Sequence, residues 1–217
     1  MRSVAAPSPR SAVRRHPERG AYDRETINLI LDEALICHIG FIADGQPWVM
    51  PTMYARLGDL LYVHGSPASR MLRAAGAGAD ICITVTLLDG LVLARSVFNH
   101  SMNYRSVVVL GKSEEVTDTA QKMVAFKALV DHVVPGRWED SRQPTKKELR
   151  ATMVLKLPIA EASCKLREGG PGDPSADVEL PFWAGEIPIR MVPGLPVPAA
   201  DLPPGLAVPA YVSGYKR

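Results

Sequence analysis

Two short stretches hold the residue types from which a binding site could be built. His64-Gly65-Ser66-Pro67-Ala68-Ser69-Arg70 stands where an apolar run ends and a helix-forming run begins. Backbone amides at a helix start, two hydroxyls and a guanidinium would together seat a phosphate. Gly65 would let the backbone approach such a ligand closely. The plainer reading is an ordinary strand-to-helix turn with Ser66 as the N-cap and Arg70 in solvent. The second stretch, Asn99-His100-Ser101-Met102-Asn103-Tyr104-Arg105-Ser106, precedes an apolar strand. Polar groups at the mouth of such a strand can face a ligand, or can satisfy their own loop backbone.

Other chemistries find no support. His38 lies in an apolar strand and reads as a hydrogen-bonded structural histidine, while His16 and His132 read as surface residues. The five histidines form no HxxxH or HxH pair, so a zinc or non-haem iron site is not indicated. Neither a Gly-x-Ser-x-Gly elbow nor a Walker loop is present, which argues against covalent hydrolysis and nucleoside triphosphate chemistry.

The elements that must position these clusters are mostly strands. Asp23 can cap a helix running to about Glu33, with Ile27, Ile30, Leu31 and Ala34 on one face. Residues 37–43 read as a strand closed by the hairpin signal Asp44-Gly45, with residues 48–55 pairing back. After a turn at Leu57-Gly58-Asp59, residues 60–64 continue the sheet, and Met71, Leu72 and Ala75 mark a short helix. Residues 81–86 alternate as a half-buried strand, and Asp89-Gly90 reads as a turn into residues 91–96. Residues 105–110 form the next strand. Met123, Phe126, Val130 and Val133 give an amphipathic helix, and Thr145 with Glu148 fits a capping box. Residues 153–158 and 162–166 supply the last strands. This is a mainly β pattern with peripheral helices: six or seven antiparallel strands, suggesting a closed or split β-barrel. Strand and helix do not alternate regularly, which argues against a doubly wound dinucleotide fold.

The chain has 217 residues, 47% hydrophobic and 22% charged, enough for one well-cored domain. Ten of its 19 prolines fall between Pro171 and Pro209. Proline removes amide donors, so residues 169–217 should wrap the barrel of residues 19–168 as an extended segment. Residues 1–15 carry Arg2, Arg10, Arg14 and Arg15 with three serines and no acid, the composition of a transit peptide. The plainer reading makes residues 1–18 a flexible, solvated arm. A net charge of +2 is too small for a protein whose main business is holding a nucleic-acid backbone. Cys37, Cys82 and Cys164 are odd in number and far apart, so no disulfide framework is expected and a reducing compartment is. No apolar run approaches the roughly 18 residues of a membrane span. The expectation is a soluble cytoplasmic protein with neither a membrane nor a nucleic-acid partner.

Taken in order, several motifs point further. Arg19-Gly20-Ala21-Tyr22-Asp23, Gly45-Gln46-Pro47, Leu61-Tyr62-Val63-His64-Gly65-Ser66, Ser69-Arg70 and Asn103-Tyr104-Arg105-Ser106-Val107-Val108 stand in sequence. This set resembles the pyridoxamine 5'-phosphate oxidase-like flavin-nucleotide-binding family, in the branch that includes nitroimidazole-resistance proteins. The resemblance covers about residues 17–192. It implies a split β-barrel homodimer with FMN in each of two clefts between subunits. On that resemblance, Met50, Pro51, Thr52 and Tyr54 belong to the strand beside the isoalloxazine ring. Ser69 and Arg70 match the phosphate grip, with His64, Gly65 and Ser66 before them. Arg105, Ser106 and Val107 match an Arg-Gln-Val strand preceded by Asn103 and Tyr104, with serine replacing glutamine. Phe182, Trp183 and Gly185 match a late Phe-Trp-x-Gly whose tryptophan closes over the flavin from the partner subunit.

Two departures bear on substrate. Met71 stands where the oxidases carry a lysine after Ser-Arg. Ile187-Pro188-Ile189-Arg190-Met191 replaces the Arg-x-His that holds the vitamin's phosphate, and a dianion would need those donors. The resulting expectation is a flavin-dependent oxidoreductase of a small molecule other than pyridoxamine phosphate. His64 and then Tyr54 are the acid–base candidates, each read first as a cofactor contact. The alternative on the same fold is a protein that binds or stores flavin or haem without turnover.

Overall fold

The computed structural model describes residues 4–216, and it opens on a docked arm. Arg10 donates to both carboxylate oxygens of Glu161, at 2.8 and 2.5 Å, and Ser8 hydrogen-bonds the same carboxylate. Ser11 is buried, and the amide of Val13 donates to the Tyr22 hydroxyl at 2.8 Å. A bidentate guanidinium–carboxylate pair is geometrically specific. The described part of residues 1–18 is thus anchored, which corrects the reading of a solvated arm; Arg2 lies outside the described residues.

A 3-10 turn, Pro17–Arg19, leads into strand β1 (Gly20–Ala21) and helix α1 (Arg24–Glu33). Asp23 caps α1 by accepting from the Thr26 amide at 2.8 Å, and Ile27, Ile30 and Leu31 are buried. Strands β2 (Ile36–Ala43) and β3 (Gln46–Met53) form the expected hairpin. Asp44 and Gly45 between them have φ of 53° and 71°, both left-handed, as a two-residue primed turn requires. The chain continues through β4 (Ala55–Leu57), β5 (Leu60–Gly65), α2 (Arg70–Gly76), β6 (Asp80–Leu93), β7 (Ser101–Lys112) and β8 (Glu114–Glu115). Then come α3 (Thr119–Val133), α4 (Lys146–Arg150), β9 (Met153–Pro158), β10 (Glu161–Arg167), β11 (Gly185–Pro188) and α5 (Ala210–Ser213).

Every strand pair is antiparallel. The larger sheet runs β1-β10-β7-β6-β2-β3, with β11 added on β6, and the smaller runs β4-β5-β9-β8. One core unites them: Ile39, Val85 and Val107 from the large sheet pack with Leu61, Leu155 and Leu157 from the small one. Helix α1 contributes Ile30 and Leu31, and α2 contributes Leu72. The mainly β, antiparallel split-barrel architecture expected from the sequence is the one present.

Three local readings are revised. Asp89-Gly90 is not a turn, because β6 runs straight through it with a bulge between Leu88 and Gly90. A Cβ on Gly90 would sit 3.1 Å from the carbonyl oxygen of Ile187, so glycine is there to let β11 approach. The tail therefore adds a strand as well as wrapping the barrel. Asp173, which accepts from the Arg95 amide and guanidinium, ties down its start. On α3 the buried line is Ala125 and Leu129, so the expected Met123-Phe126-Val130-Val133 stripe flanks the contact. The capping box at Thr145 and Glu148 is formed.

Candidate cofactor site

Strand β3 ends the large sheet and among the described residues pairs with β2 alone, which leaves its other backbone edge open. Register sets Trp48, Met50 and Thr52 opposite Phe41, Ile39 and Cys37, so these three lie on the core side of the hairpin. They overhang it, and Trp48 and Met50 stay 40% and 44% exposed. Pro51 faces the other side and suits an edge, having no amide to donate. The guanidinium of Arg70 lies 4.5 Å from the Trp48 ring centroid, which ties the start of α2 to this rim. Among the described residues no carboxylate pairs with Arg70. Trp48 was not singled out in the sequence, although its alternation with Met50 and Thr52 was there to be read.

Ser69, not Ser66, caps α2: its hydroxyl accepts from the Leu72 amide at 3.4 Å. That leaves the Ser69 O–H to donate. Ser66 closes the preceding turn, with its carbonyl accepting from the Ser69 amide at 2.9 Å and its hydroxyl from the Ala68 amide. Gly65 has a packing reason, since a Cβ there would meet Leu72 at 3.1 Å. His64 packs edge-on against Phe126, with centroids 5.9 Å apart, and its Nδ1 is buried without a partner. Burial pushes the imidazole below its ordinary 6.5, so the ring is neutral.

Four expected contacts turn out to be engaged in the fold. Tyr54 is fully buried, and its hydroxyl donates to the Leu31 carbonyl at 2.5 Å, so its side chain is not available to a surface ligand. Asn103 is buried, donates to Glu186 at 2.6 Å and accepts from Arg167, which makes it a pin for β11. Arg105 forms bidentate pairs with Glu33 and with Asp89, and both raise its pKa. Its guanidinium is spent within one chain. Ser106 lies near Thr86 Oγ1 at 3.0 Å and donates to the Val85 carbonyl at 3.1 Å. Tyr104 and Ser106 instead border a cavity of about 340 Å³ under the arm. Trp183 is 67% exposed beside Gly185, with Phe182 also exposed, and nothing ties it to Arg70 within this chain.

Two of the three thiols, Cys37 and Cys164, are buried and not nucleophilic. Burial pushes Cys37 up to about 12 and Cys164 up to about 11, leaving neither as a thiolate near neutrality. No group of three or more metal-holding side chains forms among the described residues. No helix among them is long and apolar enough to cross a membrane.

With the hairpin rim, the capped α2 and the two sheets in view, comparison with known proteins becomes informative. The family profile described as pyridoxamine 5'-phosphate oxidase matches residues 23–166. The chain belongs to this family. The flavocytochrome Anf3 from Azotobacter vinelandii shares 44% identity over 97% of this chain and 98% of its own, with a TM-score of 0.92. An FAD- and haem-binding protein from Mycobacterium smegmatis shares 38% over 90% of this chain and 96% of its own, with a TM-score of 0.87. A candidate 5-nitroimidazole antibiotic resistance protein from Bacteroides thetaiotaomicron VPI-5482 shares 25% over 67% of this chain and 85% of its own, TM-score 0.57. A search of the curated proteins finds no match. The family resemblance read from the motifs thus holds. The family's profile ends at residue 166, while the likeness to Anf3 runs on through the tail.

Proposed function

We propose that this member of the family is a flavin-dependent oxidoreductase, working as a homodimer, that also carries haem. The reading rests on the rim of β3: an unpaired guanidinium stacked on an exposed tryptophan beside an open strand edge. It is supported by similarity to a flavocytochrome and to an FAD- and haem-binding protein. The residues fit a flavin. Arg70 and the Ser69 hydroxyl would hold a phosphate, and the open backbone edge of β3 offers the Pro51 carbonyl as an acceptor to a ring's polar margin. A bound flavin would supply hydride and single-electron transfer. His64 would act as a cofactor contact rather than as an acid, because burial disfavours its charged form.

A specific observation favours haem beside the flavin. His100 donates from Nδ1 to the Ser96 carbonyl at 2.9 Å, which leaves the Nε2 lone pair outward. Iron-ligating imidazoles are held in this way. Its neighbours Val97 and Phe98 are 92% and 94% exposed, an apolar surface of the sort a macrocycle covers.

The outer face of the large sheet suits a second copy of the chain. Alternation places Ile36, Ile42, Val49, Leu88 and Met102 together there, all exposed. The expected shared sites require that pairing, because Trp183 reaches Arg70 only from a partner. Ile187, Ile189 and Met191 are exposed at or beside β11, which supports a small-molecule substrate that is apolar or uncharged rather than pyridoxamine phosphate. Three free cysteines fit a reducing, cytoplasmic setting.

The visible spectrum of the purified protein tests the cofactors: flavin bands with a Soret band are expected, and neither would sink the reading. Anaerobic mixing with reduced nicotinamide separates an oxidoreductase from a storage protein. Rapid bleaching of the flavin is expected; a flavin that stays oxidised would favour storage.

A further inference from the structure

The cavity under the arm carries three cations in its lining. Arg14 and Arg15 come from the arm, Lys165 from β10, and Tyr104, Ser106 and Ser163 from the sheet beneath. Among the described residues none of the three cations has a carboxylate partner, although Arg10 nearby in the sequence is fully paired with Glu161. Three cations without a carboxylate partner line one cavity with three hydroxyls, and an anion placed among them would offset their mutual repulsion. The arm that carries the two arginines is held by Arg10–Glu161 and by Val13–Tyr22, so the cations are presented from an anchored segment. The volume, about 340 Å³, stands at the small end of ligand sites, with room for one phosphate-bearing unit and not for a whole dinucleotide.

We propose that this cavity binds the phosphate-bearing half of a nucleotide, with Arg14, Arg15 and Lys165 on the phosphate oxygens and Tyr104 along the base or sugar. The site is distinct from the Ser69–Arg70 grip, and neither its cations nor its hydroxyls belong to that grip. Two sources share this chemistry: the adenylate half of FAD, or a separate nucleotide. Only the first source rests on the flavin reading.

The test titrates full-length protein and its Arg14→Gln/Arg15→Gln variant with FAD, FMN and ADP by calorimetry. Both arginines are exposed, so the fold should survive, and an unchanged melting temperature verifies it. Loss of about tenfold or more in FAD affinity with FMN unchanged supports the site and names FAD as the source. Loss of ADP binding alone supports the site with a separate nucleotide. Equal losses for FAD and FMN would overturn the proposal, since the arm would then act through the fold, and so would three unchanged affinities. Lys165→Gln, on a strand rather than on the arm, should reproduce the variant's pattern; a different pattern also counts against the site. If wild-type protein binds no flavin, the flavin reading fails while the ADP titration still decides the cavity.

Discussion

Arg70 is the side chain whose removal would separate the proposed phosphate contact from packing. It is exposed, stacks on Trp48 and pairs with no carboxylate among the described residues. Arg70→Ala is therefore expected to weaken FMN by about 1.5–3 kcal/mol, the worth of a hydrogen bond to a charged group. Riboflavin, which lacks the phosphate, should change by no more than the stacking on Trp48 contributes, about 0.5–1 kcal/mol. Equal losses for the two ligands would show that Arg70 acts only through Trp48. His64 supplies a different test. Burial holds its imidazole below 6.5, so the unfolded chain takes up the proton first as pH falls. The folded state binds fewer protons, and stability rises with pH there: it is complete above about 6.5 and declines on acidification. His64→Gln should flatten the decline in melting temperature between about pH 7 and 5. An identical slope in both proteins would assign that titration to another group.

At the scale of elements, Asn103 joins three strands. Its amide donates to Glu186 on β11 and accepts from Arg167 on β10, while its own backbone lies in β7. Asn103→Ala leaves a carboxylate and a guanidinium without their shared partner, a cost of about 1–3 kcal/mol. Hydrogen exchange should show the effect first in β11, whose amides are expected to lose protection while those of β2 keep theirs. Unaltered exchange in β11 would mean that its ladder with β6 suffices. This element also shows what a sequence conceals. Local signals were legible: Asp23 and Thr145 cap helices, and Asp44-Gly45 turns a hairpin, because each acts within four residues. Asp89-Gly90 carries the same dipeptide, yet β7 and β11 pair across it and override the turn. Arg105 looked like a ligand contact because its partners, Glu33 and Asp89, stand 72 and 16 residues away. The burial of the Tyr54 side chain was hidden for the same reason, its carbonyl partner lying on α1. The Ser69–Arg70 pair proposed to hold a phosphate could be picked out because the two are adjacent; the arm cavity could not, because its lining comes from residues 13–15, 104–108 and 163–165.

For the molecule as a whole, the decisive matter is what covers the outer face of the large sheet. A stable pairing hides about 800 Å² on each partner, with an apolar centre. Leu88 and Met102 lie near each other on adjacent strands of that face, 43% and 53% exposed, and Tyr104 and Ser106 beside them put the arm cavity at its border. Val124 on α3 is comparably exposed at 51% but belongs to a different surface. Leu88→Glu places a charge where a second copy would strip its water, at a cost of several kcal/mol. Val124→Glu should cost almost nothing. Sedimentation velocity is then expected to show wild type and Val124→Glu as dimers and Leu88→Glu as a monomer. The monomer should also lose bound flavin, because Trp183 can no longer reach the Arg70 site of its neighbour, while its circular dichroism stays native. A Leu88→Glu protein that remains dimeric would move the interface elsewhere on the surface. One that becomes monomeric yet keeps its flavin would show that each barrel completes its own site, with the Trp183 tail playing no part in it.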